Sequence, residues 1–210
     1  TEQRQALVRL MGEDFDYTAL TEVDEAIRLE MIHAMPPEQV AVAVSELASD
    51  DAVYILEDLD AQDRDEILKR LPFRERLRLR RALEYPEESA GRRMQTEFVA
   101  VPPFWTVGQT IDYVREDDDL PETFSEVFVV DPSFKLRGAV ALHEILRAKR
   151  PEKIESIMHP TRHAIPAVMD QEEAAQIFEQ YDLLSAAVVD ENETLVGVLT
   201  IDDIVDVIQE

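Results

Sequence analysis

No cysteine occurs in the 210 residues, which excludes disulfides and thiolate metal sites and makes a reducing, cytoplasmic setting the natural expectation. Glycine is used only five times, too sparsely for a glycine-rich phosphate loop. No apolar run approaches the ~18 residues that a membrane-spanning helix needs, and no signal-peptide pattern is present. Basic residues are scarce: 21 Lys and Arg stand against 46 Asp and Glu, a formal charge of -25. Nucleic-acid binding rests on neutralising phosphates with Lys and Arg, so this balance speaks against it. It permits a cation-binding role, because clustered carboxylates relieve their mutual repulsion by holding Mg²⁺ or Ca²⁺. Solubility or a halophilic habit accounts for the same charge. An enzyme is not expected. No Ser/His/Asp or paired-histidine arrangement appears, and His33, His143, His159 and His163 are scattered. His33, between apolar neighbours on a helix, reads as an ordinary, partly buried histidine.

The length suits two compact domains, and a 45% hydrophobic share with 32% charged residues is that of a globular protein. Residues 1–12 read as one short helix with Leu7, Leu10 and Met11 on a face. From Asp24 a period of twelve appears: Met35, Leu47, Leu59, Leu71 and Leu83 are equally spaced. The units open on breakers or caps, namely Pro36-Pro37, Ser49-Asp50-Asp51, Ala61-Gln62-Asp63 and Pro72-Phe73. Each unit holds a helix too short to stand alone, and stacking the units buries one continuous face, as a small α-solenoid does.

The last stretch has a different grammar. Ala187–Val189 and Leu195–Leu199 flank a polar turn at Asp190–Glu193, and Ile201, Ile204, Val205 and Ile208 then follow at helical spacing. The same pattern lies 59 positions upstream, with Asp131 over Asp190, Gly138 over Gly197 and Glu144 over Asp203. Further upstream the offset becomes 64, placing Met94 over Met158 and Pro102 over Pro166. A duplication with one insertion in the acidic loop at Glu116–Pro121 accounts for both offsets. Each copy reads strand (Phe98–Val101; Ala164–Ile165), helix (Val107–Arg115; Gln171–Tyr181), strand, strand, helix.

This repeated pattern resembles a tandem pair of CBS domains across roughly residues 92–210. The resemblance implies two α/β units packed as a pseudo-symmetric disc that binds a small regulatory ligand, often an adenine nucleotide, and dimerises. Pro86 stops the preceding helix, and Ser89-Ala90-Gly91 reads as a flexible turn. That joint, LEYPEESAGRRM, is similar to the YPEDSAG-x-x-M signature of MgtE-type magnesium transporters and channels, where it links an N domain to a CBS pair. The fold expected is therefore α + α/β: a right-packed, α-solenoid-like array of short helices followed by a tandem CBS pair. The boundaries expected are 1–84 for the helical N-type domain, 85–95 for the joint, 96–157 for the first CBS domain and 158–210 for the second. The resemblance further implies a transmembrane pore C-terminal to residue 210, with this segment itself soluble at the cytoplasmic face of the cell membrane. The chain is then either the cytosolic part of a longer protein or a relative without the membrane half.

Carboxylates are the candidate ligands. Mg²⁺ wants oxygen ligands and keeps much of its hydration, so acidic side chains on facing surfaces suit it better than a closed cage. Asp170 and Glu172 open one helix, Asp182 lies at its end, and Asp202, Asp203 and Asp206 open the last helix; Asp at a helix start is equally a cap. The MgtE resemblance implies regulatory Mg²⁺ at Asp170, Glu172, Asp182, Asp203 and Asp206, with Asp50 and Asp51 as N-domain candidates, and Mg²⁺ as the transported ion. It also implies an adenine-nucleotide pocket involving Thr200, Asp203, Leu183 and His163. ATP fits poorly, because His143-Glu144 replaces an Arg-Asp pair, Leu183 an aromatic, and Glu126 a tyrosine. The alternative function is an adenine-nucleotide sensor that regulates another partner.

Arg74, Arg76, Arg78, Arg80, Arg81, Arg92 and Arg93 form the basic run of an acidic chain. It reads as an exposed helix face supplying weak ion pairs, with anionic lipid or a membrane half as the alternative contact.

Overall fold

The computed structural model describes residues 6, 10, 11, 15–117, 119–161 and 163–209, the side chains of 206, 208 and 209 excepted. Most of the helix expected over 1–12 lies outside these. The chain divides into two compact units, Thr1–Glu84 and Tyr85–Glu210.

After a 3₁₀ turn at Tyr17–Leu20, the first unit is a run of five short helices. They are α1 (Glu25–Ile32), α2 (Pro37–Glu46), α3 (Ser49–Glu57), α4 (Ala61–Arg70) and α5 (Phe73–Glu84). The period of twelve has a simple cause. Met35, Leu59 and Leu71 are buried just past helix ends, and Leu47 and Leu83 pack against the same core. Leu47 and Leu71 adopt extended backbone, which ends α2 and α4. Pro37 in the first turn of α2 costs no hydrogen bond, and the Asp60 carboxylate accepts from Gln62 N and Asp63 N, each at 2.9 Å, to start α4. The core includes Ile32, Val44, Val53, Leu56, Leu68 and Leu79. Arg28 is buried with them, donating to the Asp58 carboxylate at 2.6 and 2.7 Å and lying 4.2 Å from the Tyr54 ring centre.

The second unit opens with α6 (Ala90–Arg93) and then builds two similar halves. The first holds β1 (Ala100–Val101), α7 (Val107–Glu116), β2 (Glu126–Val130), β3 (Leu136–Ala141), α8 (Leu142–Arg147) and α9 (Ile154–Ile157). The other holds β4 (Ile165–Pro166), α10 (Gln171–Tyr181), β5 (Ser185–Val189), β6 (Leu195–Thr200) and α11 (Ile201–Gln209). Each sheet has its first strand parallel to the second and its second antiparallel to the third. β1 is shorter than the expected Phe98–Val101 and β4 lies one residue later than the expected Ala164–Ile165, and two residues suffice to anchor each on its neighbour.

The two halves repeat down to single hydrogen bonds. Asp131 accepts from Ser133 N and Lys135 N, and Asp190 accepts from Asn192 N and Thr194 N. These Asx turns bring Phe134 and Glu193 to φ of 63° and 62°, which re-aims the chain into β3 and β6. Across the dyad, Leu136 N donates to Glu193 O and Leu195 N to Phe134 O, while Phe128, Val130, Ala187, Leu195 and Val198 form a shared core.

The turn at Ser89–Gly91 is not a flexible joint. Ala90 N and Gly91 N donate to Met169 O and Ala167 O, each at 2.8 Å, so α6 is fixed to the second half. A Cβ at Gly91 would stand 2.7 Å from Tyr85 Cγ and 2.8 Å from Ala167 O, so only glycine permits this approach. Arg92 and Arg93 likewise leave the exposed basic run. Arg92 is buried and donates to Tyr85 O at 2.8 Å, while Arg93 donates to Gln171 Oε1 at 3.0 Å.

Candidate functional site

Two places gather the polar side chains that the sequence nominates. The first is a narrow cleft between the halves, floored by Phe98, Phe124 and Phe128. Thr123, Ser125, Ser185 and Thr200 supply hydroxyls, and Ser125 Oγ lies 2.7 Å from Ser185 Oγ across the dyad. Glu97 and Glu126 bring two carboxylates, and among the described residues no Lys or Arg lines the cleft. Burial pushes the Glu126 carboxyl above its ordinary range. The free space is about 30 Å³, room for a water or two, whereas pockets for small molecules run to ~300–1,000 Å³.

The candidate nucleotide residues do not converge there. Thr200 is in the wall, but its N and Oγ1 donate to Asp203 Oδ2 at 2.7 and 2.9 Å, and its hydroxyl also binds Asp202. This closes the first turn of α11, as Glu144 does for α8 by accepting from Ala141 N at 3.2 Å. The His163 ring stacks on Tyr181 at 3.8 Å, and Leu183 packs against the core of the second half; neither lines the cleft.

The second place is a shallow hollow where α10 begins. Asp170 caps that helix, accepting from Glu172 N at 2.9 Å and Glu173 N at 3.3 Å. It shares the hollow with Glu87, Glu88, Ser89 and Val168. Sequence reading missed the two glutamates, because Pro86–Glu88 reads only as a joint. The signal was the offset of 64: Ser89 bridges Asp170 as Lys153 bridges Thr106. Glu172 is exposed beside them.

Asp182 takes the left-handed conformation, φ 50°, at the other end of α10. At ~1.5 Å rise per residue it stands roughly 18 Å from Asp170, too far to share an ion. Asp203 is engaged with Thr200, and the Asp206 side chain lies outside the described residues. Asp50 and Asp51, both half-buried, occupy the first turn of α3 in the first unit. Among the described residues no three His, Asp or Glu gather closely enough to hold a metal by themselves. The acidic residues are thus dispersed single carboxylates and one open hollow, an arrangement that attracts hydrated cations but forms no cage. His33 is exposed rather than partly buried, 3.9 Å from Asp63, because it follows the last turn of α1.

Comparison with known proteins agrees with the two-unit layout. Residues 1–88 match the MgtE intracellular N domain, and residues 90–150 and 154–210 match the CBS domain. The chain is 28% identical to the magnesium transporter MgtE of Bacillus subtilis over 187 residues, which are 89% of this chain and 42% of that protein. It is 34% identical to MgtE of Thermus thermophilus over 125 residues, 60% of this chain and 28% of that protein. The chain therefore spans less than half the length of these relatives. A crystal structure of the cytosolic domain of the Mg²⁺ channel MgtE in complex with ATP superposes with a TM-score of 0.84 at 25% identity, covering 97% of this chain and 90% of that one. The soluble part of a magnesium transporter gives 0.81 at 26% identity, covering 99% and 93%. Among the described residues no helix is long and apolar enough to cross a membrane. With more than half its length matched by the CBS domain and the remainder by the partner that precedes it, this chain belongs to the CBS-domain family and carries an MgtE intracellular N domain ahead of its CBS pair.

Proposed function

We propose that this chain is the cytosolic, Mg²⁺-sensing regulatory region of a magnesium transporter or channel, on the inner face of the membrane. The observation that carries the reading is the likeness, over 97% of the chain, to the cytosolic domain of the Mg²⁺ channel MgtE. The domains are taken as 1–84, 85–95, 96–157 and 158–210, with a pore C-terminal to residue 210 and a homodimer formed through the CBS pair. The packing of α6 into the second unit supports a pivot near Glu84-Tyr85 rather than inside the 85–95 joint.

The mechanism is charge screening. At low Mg²⁺ the carboxylates of a chain carrying -25 repel, and the N domain and CBS pair stay apart. At high Mg²⁺, hydrated ions at Asp170 and Glu172, Asp182, Asp203 and Asp206, and at Asp50 and Asp51 of the N domain, offset that repulsion and favour a compact, pore-closing form. Glu87 and Glu88 extend the first group through the shared hollow. Shifting a two-state equilibrium from mostly open to mostly closed takes ~5.5 kcal/mol of differential binding, which several weak sites supply together.

The second reading, an adenine-nucleotide sensor, draws on the ATP complex of the similar MgtE domain. The cleft here opposes it, having two carboxylates, little space and, among the described residues, no cationic side chain. Small-angle scattering across a millimolar Mg²⁺ series, with NaCl at matched ionic strength, separates the readings. Contraction with Mg²⁺ alone, reduced in Asp170→Asn/Glu172→Gln, supports the sensor. Constant size in Mg²⁺ together with calorimetric binding of ATP would leave the nucleotide reading standing.

A further inference from the structure

The outer face of α5 is both apolar and basic. Phe73 is 69% exposed and Leu77 42% exposed, four residues apart and hence neighbours on one face of the helix. The inner face is spoken for by Leu79 and Ala82, both fully buried. At 3.6 residues per turn, Arg80 falls along one edge of the apolar pair, and Arg74 and Arg81 along the other. All three arginines are exposed. Arg80 reaches Asp65 at 3.6 Å, while the Arg76 guanidinium lies 5.7 Å from the Phe73 ring centre. Among the described residues neither Arg74 nor Arg81 has an ion pair, so pairing within the surface does not account for them. Glu84 is the single acidic residue on this face, at its far end.

We propose that this face is a membrane-surface contact, in which Phe73 and Leu77 enter the headgroup layer and Arg74, Arg80 and Arg81 pair with anionic lipid phosphates. The choice of a bilayer rests on the membrane-adjacent function proposed above. The chemistry favours it too, because large apolar side chains flanked by arginines on a convex helix face are the signature of interfacial binding. A nucleic acid would use the arginines but leave Phe73 and Leu77 without a role. The -25 charge of the chain does not forbid the contact. The Debye length is ~8 Å at physiological ionic strength, so a helix of twelve residues, roughly 18 Å long, presents its local charge rather than the chain's total.

The test is co-sedimentation of the 210-residue protein with phosphatidylcholine vesicles, with and without phosphatidylglycerol, at low and high NaCl and without Mg²⁺. Binding should require phosphatidylglycerol and weaken with salt. Arg74→Glu/Arg81→Glu should weaken it by about tenfold or more, and Phe73→Ser/Leu77→Ser should also reduce it. Circular dichroism melts check that both variants remain folded, as exposed positions allow. Equal binding to both vesicle types, no binding to either, or binding unchanged in the variants overturns the proposal. So does sedimentation velocity showing that the face instead joins two copies in solution. Vesicle binding is read without Mg²⁺ and compaction without vesicles, so each reading fails by its own measurement.

Discussion

Replacing Arg28 by alanine should unfold the first unit selectively. Arg28 is 1% exposed, and its guanidinium meets Asp58 through two nitrogens at 2.6 and 2.7 Å. It also donates to Val23 O at 3.2 Å and Leu20 O at 3.4 Å. Alanine removes the cation, leaves a mostly buried carboxylate without its partner and strands two carbonyls. Breaking one side of such a pair costs ~3–5 kcal/mol, a large part of a domain's stability. Asp58→Ala should cost about as much, because it leaves the buried cation behind. The apolar double replacement Arg28→Met/Asp58→Leu should recover most of the loss. The chain supplies its own reporters. Its single tryptophan, Trp105, lies in the second unit, while helical circular dichroism reads both. In urea, Arg28→Ala should therefore shift the early part of the dichroism curve and leave the Trp105 fluorescence transition in place. A loss below about 1 kcal/mol, or a double variant no better than either single one, refutes the claim that this pair organises the helical array.

Gly91→Ala should lower the unfolding free energy read from the Trp105 transition by about 1–3 kcal/mol, the usual cost of overpacking, because Tyr85 and the Ala167 carbonyl leave no room for a methyl. An alanine variant as stable as the parent would mean that α6 can lift off the second half. Glu126→Gln should stabilise the second unit at neutral pH. Burial raises the folded carboxyl above its unfolded value, so the folded state holds the proton more tightly, and stability falls as pH climbs past the unfolded value of ~4.3. The amide removes that penalty. Its advantage should fade below about pH 4, where Glu126 is protonated in both states. Thermal melts at the two pH values decide it, and a gain that persists in acid would point to another cause.

Much of this fold is legible in the chain because its two periodicities are local. The spacing of Met35, Leu47, Leu59, Leu71 and Leu83 marks where each short helix ends, since each plugs the same core. The offset of 59 predicts the hairpins because Asp131 and Asp190 build the same turn from their own neighbours. What stayed hidden depends on contacts distant in sequence. Ser89–Gly91 reads as flexible until Ala167 and Met169 are seen to hold it. Arg92 and Arg93 read as extensions of the α5 strip, yet they turn inward to Tyr85 and Gln171. The nucleotide candidates follow from the family resemblance. Whether Leu183 or His163 reaches the cleft is settled by the packing of Tyr181 and the second core, which no spacing reveals.

The places where the two halves stop matching bear on function more than the places where they agree. Thr106 caps α7 through a neutral box with Gln109, whereas the matching cap of α10 is the Asp170 carboxylate. Nearby in the first half, Arg150 neutralises Asp112 at 2.6 Å and Lys153 reaches Glu155 at 3.3 Å. The equivalent hollow in the second half is lined by Glu87, Glu88 and Asp170 beside Pro86, Ser89 and Val168, with no basic residue in its wall among the described residues. A duplicated scaffold has thus kept its backbone hydrogen bonds while one copy balances its charge at this corner and the other gathers three carboxylates there. Helix capping alone would be served by Thr or Asp alike. The uncompensated acid in the second half needs another reason, and attraction of a hydrated divalent cation supplies one. On that argument, if Mg²⁺ compacts the chain, neutralising Asp170, Glu87 and Glu88 should weaken the response more than neutralising Asp112 and Glu155.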